Sequence, residues 1–132
     1  MSAKAIREFD GKHLLNYWIQ QENPSATFLP PAHLLSLKFD LGLLEVSKKA
    51  FDDHVKTILN ASEKSHAWLK TTKLVCKPDQ LIKRRGKNGL LGINLDWAGV
   101  KKWIAERAGT VIHVCRFNFV HPFEIVLRMI RL

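Results

Sequence analysis

The sequence has few of the residues that build metal-held or disulfide-held folds. Its 132 residues contain two cysteines, Cys76 and Cys115, and no CxxC pair, which predicts neither a disulfide framework nor a zinc ribbon. Its six histidines show no HExxH spacing, and no glycine-flanked serine elbow occurs. We therefore predict no metal ligands and no catalytic residues in this chain.

Long apolar runs are also absent. No run reaches the roughly 18 uncharged apolar residues of a membrane span, so we expect no membrane partner. The N-terminus becomes charged at once and lacks the apolar segment of a secretory signal peptide. These absences predict a cytosolic location, and the length suits one domain.

Acidic residues are scarce relative to basic ones. Twelve Asp and Glu face 21 Lys and Arg, which gives a formal net charge of +9. Such an excess suits nucleotides, nucleic acids, acidic lipids or polycarboxylates. The alternative is that the charge maintains solubility in an incomplete chain whose acidic parts lie elsewhere.

Helical spacing of apolar residues predicts three main helices. The first runs from about residue 11 to 21 with Asp10 as its N-cap, and the second is capped by Ser47 and extends to about residue 60. The third is capped by Asp96 and ends near Gly109. The residues that we expect in the core are Leu14, Leu15, Trp18 and Ile19 in the first helix; Phe51, Val55, Ile58 and Leu59 in the second; and Trp97, Val100, Trp103 and Ile104 in the third.

The remaining apolar segments predict strands and shorter elements. Strands are expected at residues 3–6, 74–76 and 90–95, with a short helical turn at 66–69. Residues 33–46 are leucine-rich and leave helix or strand undecided. Together these elements indicate a mixed α/β (α+β) fold.

The basic segment from Lys77 to Lys87 has five basic residues and one acidic residue, Asp79. A lysine directly after a strand presents a well-placed point charge, and arginine guanidinium groups bind phosphate in two places at once. Three glycines, Gly86, Gly89 and Gly92, permit backbone conformations closed to other residues and close approach of N–H groups to an anion. The segment therefore predicts a phosphate-binding loop, although a solvated basic hairpin has the same composition.

Nucleic-acid binding is the alternative for a basic cluster accompanied by aromatic residues. The four tryptophans stand at apolar helix positions, which is typical of core residues rather than base-stacking platforms. We therefore do not expect nucleic acid as the partner.

The chain resembles the ATP-citrate lyase family (also called ATP-citrate synthase) in two main places, with shorter matches at His66-x-Trp68-Leu69, at Gly99-Val100-Lys101 and at Trp103. One is the opening MSAKAI with Gly11-Lys12 and Leu14-Leu15, and the other is KPDQLIKRRGKNGLLGINL at residues 77–95. The resemblance implies a partial ATP-grasp fold, namely the N-terminal part of a domain related to the β subunit of succinyl-CoA synthetase. It implies that Lys77, Arg85 and Gly86 contact ATP, with Lys83, Arg84 and Lys87 as secondary phosphate-binding candidates.

The complete enzymes of this family use ATP with Mg²⁺ to convert citrate and CoA to acetyl-CoA and oxaloacetate, and they are homo- or hetero-oligomers. The resemblance fades at about Thr110, before the family's magnesium, citrate and CoA regions. We therefore divide the chain into a family-like domain at residues 1–110 and an unmatched apolar tail at residues 111–132. The resulting hypothesis is a truncated member that is inactive alone, and the alternative is a stand-alone nucleotide- or nucleic-acid-binding module.

Overall fold

The structure is a computed structural model, which describes residues 5–25, 33–80, 82, 84–114, 118–120 and 124–129. The strand predicted at residues 3–6 lies partly outside these ranges, and residues 5 and 6 within them are not in a strand. Lys83 of the basic segment also lies outside the described residues.

A four-stranded antiparallel sheet forms the centre of the fold. Its strands, in spatial order, are β1 (Leu34–Lys38), β6 (Glu124–Met129), β2 (Leu74–Pro78) and β3 (Gly92–Leu95). A separate antiparallel pair consists of β4 (Ile112–Val114) and β5 (Asn118–Val120). The predicted mixture of helices and strands is confirmed, and the sheet is antiparallel throughout.

Strand β6 comes from the segment that the sequence marks as an apolar tail, yet it lies in the middle of the sheet. It pairs with β1 on one side and with β2 on the other. Ile125, Val126 and Leu127 are all at most 1% exposed, because both faces of a central strand are covered. The division at residue 110 remains a prediction, but residues 124–129 are integral to this sheet.

The helices are α1 (Glu8–Glu22), α2 (Gly42–Val46), α3 (Lys48–Ser65) and α4 (Trp97–Arg107), with a 3₁₀ turn at Ala67–Lys70. The undecided residues 33–46 thus contain one strand and one short helix. Two predicted N-caps are confirmed: the Ser47 hydroxyl accepts from Ala50 N at 3.0 Å, and the Asp96 carboxylate accepts from Gly99 N at 2.7 Å.

Helices α3 and α4 supply most of the helical part of the core. The predicted inward residues Phe51, Val55 and Leu59 of α3 are buried. The four predicted residues of α4 are buried as well. Gly109 follows α4 with φ of +69°, as expected for a glycine that ends a helix.

Helix α1 differs from its prediction in two respects. Leu14, Leu15 and Trp18 are 51–55% exposed, so the predicted core face is wrong for these three residues: within the described residues, no element covers it. Asp10 lies in the first turn, and the N-cap position is Arg7, which makes no side-chain capping bond. The groups that hold this helix come from elsewhere in the chain.

Candidate phosphate-binding site

Lys77 is mounted on the sheet. It is the fourth residue of β2, whereas the prediction placed it directly after the strand. Its backbone lies opposite Val126 of β6. The preceding residue, Cys76, is completely buried. The Lys77 side chain is 17% exposed, and its ammonium forms an ion pair with the Glu8 carboxylate. The strand therefore fixes the backbone of Lys77, and the ion pair with Glu8 of α1 holds its ammonium group.

Glu8 holds two ammonium groups at once. One carboxylate oxygen contacts Lys77, and the other contacts Lys12 one helical turn further along α1. Burial raises the pKa of Glu8, but hydrogen bonds and charge attraction from Lys12 and Lys77 outweigh this and lower the pKa below its usual value. Glu8 is therefore an anion at neutral pH.

Asp79 caps α1 although it lies far away in sequence. Its carboxylate accepts hydrogen bonds from Glu8 N at 3.0 Å and from Phe9 N at 3.2 Å. These are N–H groups of the first turn, which have no partner within the helix. Burial raises the pKa of Asp79, and the two N–H donors oppose that change. The acidic residue of the basic segment is thereby directed toward α1.

A second ion pair joins α1 to the sheet. Arg7 contacts the buried carboxylate of Glu124, and Lys38 lies 3.6 Å from the other oxygen of the same group. These three residues line a pocket of about 390 Å³ together with Asp79 and others. The first turn of α1 is thus held by charged groups from both β6 and the β2 end.

The basic turn follows β2 and folds back on it. Arg85 donates to the carbonyl of Pro78 at 2.6 Å, so its side chain is anchored to the last residue of β2, which follows Lys77 in the sequence. Arg84 has φ of +56°, and its carbonyl accepts from the Asn88 side chain at 3.1 Å. Arg84, Gly86 and Lys87 are exposed. The structure therefore brings Lys77 and Arg85 to the same strand end and places Arg84, Gly86 and Lys87 on an exposed turn.

The predicted roles of the three glycines are only partly found. Gly89 has φ of +66°, as a left-handed turn residue should, but its N–H donates to Gly86 O at 3.3 Å. Gly86 does not have a positive φ, and a Cβ at this position would meet no atom within 4 Å. Gly92 lies in a tightly packed place, because a Cβ there would lie 2.6 Å from a Leu95 methyl group and 3.0 Å from the Trp103 ring.

Sequence reasoning found the basic residues but missed Glu8 and Asp79. Each carboxylate contacts an element that is distant in the sequence: Glu8 forms an ion pair with Lys77, and Asp79 accepts hydrogen bonds from the first turn of α1. The acidic character of the first helical turn was the available signal for Glu8, because it marks a helix N-terminus. No spacing rule pairs residue 8 with residue 77.

Other candidate groups in the described residues do not form a site. No group of three or more His, Cys, Asp or Glu is placed to hold a metal among them, and none of their helices is long and apolar enough to span a membrane. Burial raises the pKa of the Cys76 thiol, which is typical of a structural cysteine. Trp97 and Trp103 are buried, as predicted, whereas Trp18 is 55% exposed.

Comparison with known proteins gives one consistent result. No family model matches the chain. A probable ATP-citrate synthase subunit 2 of Schizosaccharomyces pombe is 43% identical over 118 residues, which cover 83% of this chain and 24% of the relative. The ATP-citrate synthase of Mus musculus is 39% identical over 118 residues, covering 83% of this chain and 8% of the relative.

A solved structure agrees with these relatives at the level of the fold. The ATP citrate lyase of Methanothrix soehngenii, in complex with citrate and coenzyme A, superposes with a TM-score of 0.67 and 24% identity. The superposition covers 99% of this chain and 27% of that one. The chain thus spans between 8 and 24% of the length of the two curated relatives. The resemblance read from the sequence is confirmed: this chain is similar to one part of the ATP-citrate synthases.

Proposed function

We propose that this chain supplies part of the ATP-phosphate site of an ATP-citrate synthase, within a partial ATP-grasp fold. The observation that carries the proposal is the arrangement of charge at the end of β2. Lys77 stands on the strand, Arg85 is anchored to the neighbouring Pro78 carbonyl, and Asp79 is directed toward α1. The cations of the turn are therefore not neutralised by the acidic residue of their own segment.

Each basic residue has a chemical part in this proposal. The Lys77 ammonium acts as a point charge on phosphate oxygens, and the guanidinium of Arg85 offers a planar set of donors. Gly86 lets a phosphate approach the turn without meeting a side chain. Fixed positive groups of this kind stabilise the charge that shifts during phosphoryl transfer. Arg84 and Lys87 add positive potential around the same turn, and Lys83 remains a secondary phosphate-binding candidate on the resemblance alone.

The remaining chemistry is assigned to the complete enzyme. There we propose the conversion of citrate and CoA, with ATP, to acetyl-CoA and oxaloacetate in the cytosol, by an oligomeric enzyme. The cations at the end of β2 fit phosphate oxygens, whereas Mg²⁺ requires oxygen ligands. We therefore propose that Mg²⁺ would enter with the ATP phosphates, and we assign it no ligand among the described residues.

Isothermal titration of the purified chain with ATP–Mg²⁺ tests the proposal. We expect saturable binding that Lys77→Ala and Arg85→Ala each weaken at least tenfold, since hydrogen bonds to charged groups contribute about 1.5–3 kcal/mol. Lys56→Ala is the matched control: it removes the same charge from an exposed position on α3. We expect this control to stay within twofold of the unmodified chain.

Duplex DNA tests the alternative function under the same conditions. Salt-sensitive DNA binding without an ATP signal would overturn the proposal. Equal losses in Lys77→Ala and Lys56→Ala would also contradict it, because they would show a response to net charge rather than to a site.

A separate assay tests the assignment of the chemistry to the complete enzyme. We predict that the 132-residue chain alone produces no oxaloacetate from citrate, CoA and ATP–Mg²⁺. The measurement is oxidation of NADH in the presence of malate dehydrogenase. Oxaloacetate formation that depends on both CoA and ATP would refute this prediction.

A further inference from the structure

The strand lysine of the proposed phosphate site, Lys77, forms an ion pair with the helix residue Glu8. Lys77 and Glu8 are each 17% exposed, so their contact is largely shielded from water. Shielding strengthens an ion pair relative to one at the surface. The pair therefore restrains the Lys77 side chain far more than an exposed partner would.

From this contact we propose that Glu8 is a positioning residue, which holds the Lys77 ammonium ready for an ATP phosphate, and that the placement of α1 controls this. The inference rests on the proposed function, because it concerns the same lysine. Protein kinases use a comparable device, in which a strand lysine that binds phosphates must pair with a helix glutamate. Here the two elements are β2 and α1.

Glu8 can hold Lys77 without cancelling its attraction for phosphate. Lys12 shares the carboxylate, so the three groups carry two positive charges and one negative charge, a net charge of +1. When a phosphate takes over part of the Lys77 interaction, Glu8 retains Lys12 as a partner. The carboxylate is therefore not left buried and unpaired, which would oppose binding.

The helix turn that carries Glu8 is itself fixed from two sides. Asp79 binds the N–H groups of Glu8 and Phe9, and Arg7 contacts Glu124 on β6. These contacts attach α1 to the sheet together with the Glu8–Lys77 pair, and they fix the backbone of the residue that carries the carboxylate. The position of the pair at the proposed site gives it a second consequence, namely the orientation of Lys77.

Glu8→Gln tests the inference, since it keeps the shape of the side chain and removes the charge. We expect the Kd for ATP–Mg²⁺ to rise at least tenfold. The matched control is Asp52→Asn, which removes one carboxylate charge from an ion pair with Lys48 on α3 and should change the Kd less than twofold. Circular dichroism and thermal unfolding check that both variants fold.

The ammonium signals of ¹⁵N-lysine-labelled protein provide a direct readout of Lys77. The Lys77 signal is identified by its loss in Lys77→Ala and should be visible in the unmodified chain, because an ordered ion pair slows hydrogen exchange. We expect Glu8→Gln to broaden this signal and Glu8→Asp, which keeps the charge on a shorter side chain, to restore it in part. A merely structural role for Glu8 would leave the Lys77 signal intact while stability fell.

The outcomes separate this inference from the proposed function. If the unmodified chain binds no ATP, both are overturned. If Lys77→Ala weakens binding but Glu8→Gln binds ATP as tightly as the unmodified chain, or more tightly, the inference alone is overturned. Weaker binding in Glu8→Gln with an unchanged Lys77 signal would also overturn it.

Discussion

Helices α1 and α4 have similar sequence patterns and opposite environments. Each carries aromatic and aliphatic residues at helical spacing. In α4 the four patterned residues are buried against β2, β3 and α3. In α1 the buried residue is Asn16, while Leu15 and Trp18 are more than half exposed. Periodicity thus shows which residues share a face, but it does not show whether another element covers that face.

The two helices are consequently held by different forces. Helix α4 is stabilised by apolar burial and by its own cap, Asp96. Helix α1 is attached mainly through charged groups, with Arg7 on Glu124, Glu8 on Lys77 and Asp79 on the first-turn amides. The charges in these contacts depend on pH, because their carboxylates can be protonated, whereas apolar burial does not titrate. The helix beside the proposed phosphate site is therefore the more adjustable of the two.

The largest expected difference in stability between the two helices follows from shortening one patterned apolar side chain in each of them. Ile104→Ala on α4 should lower the free energy of unfolding by about 2–5 kcal/mol, because Ile104 is completely buried and leaves a cavity. Leu15→Ala on α1 should change it by no more than about 0.5 kcal/mol. Urea unfolding measures both. A similar loss in the two variants would mean that the face of α1 is covered.

Glycine-to-alanine substitutions near the two helices should have opposite effects on stability. Gly92→Ala should destabilise by about 1–3 kcal/mol, since its Cβ would meet Leu95 at 2.6 Å and the Trp103 ring of α4 at 3.0 Å. Gly11→Ala in α1 should stabilise by about 0.5–1 kcal/mol, because its Cβ has an ordinary 3.5 Å contact with Ile6 and alanine favours helix. Thermal unfolding gives the sign of each change. Destabilisation by Gly11→Ala would show that α1 is packed more tightly at this position than the 3.5 Å contact indicates.

Removal of the capping carboxylate of each helix should show that α1 and α4 are anchored separately. Asp96→Ala should cost about 1 kcal/mol of global stability, the usual effect of losing an N-cap. Asp79→Ala removes the acceptor for Glu8 N and Phe9 N, and we expect its main effect within α1. Hydrogen exchange measured by mass spectrometry should then accelerate in α1 and remain slow in α4. Uniform acceleration across both helices would contradict separate anchoring.

The smallest effect is expected from Glu63, which links α3 to α4. Hydrogen bonds from Lys70 at 2.8 Å and from Trp97 at 2.7 Å lower the pKa of this carboxyl to about 2. A lowered pKa in the folded state contributes stability above the ordinary value of 4.5, and this contribution is lost as pH falls toward about 2. Between these pH values, the free energy of unfolding should change less with pH in Glu63→Gln than in the unmodified chain. An equal dependence on pH in the two proteins would be inconsistent with the pairing.

The features that the sequence predicted correctly lie within single helices, where the residues involved are close together in the sequence. The caps Ser47 and Asp96 and the inward faces of α3 and α4 were all read from patterns within one element. The cap of α1 was not, because its acceptor is Asp79, and the partner of Lys77 was not, because Glu8 lies on another element. The family motif identified the basic residues of the candidate site, but no local pattern indicates which carboxylates meet them.

The central position of β6 also determines the order in which the sheet is built. During synthesis β1, β2 and β3 leave the ribosome before residues 124–129, which must then enter between β1 and β2. Until that happens, both flanking strands have unpaired edges, which are sites for pairing with other chains. The sheet therefore closes late through contacts between distant residues, and such contacts make folding slow. Before β6 is in place, the edges of β1 and β2 that it later covers are therefore open to pairing with another chain.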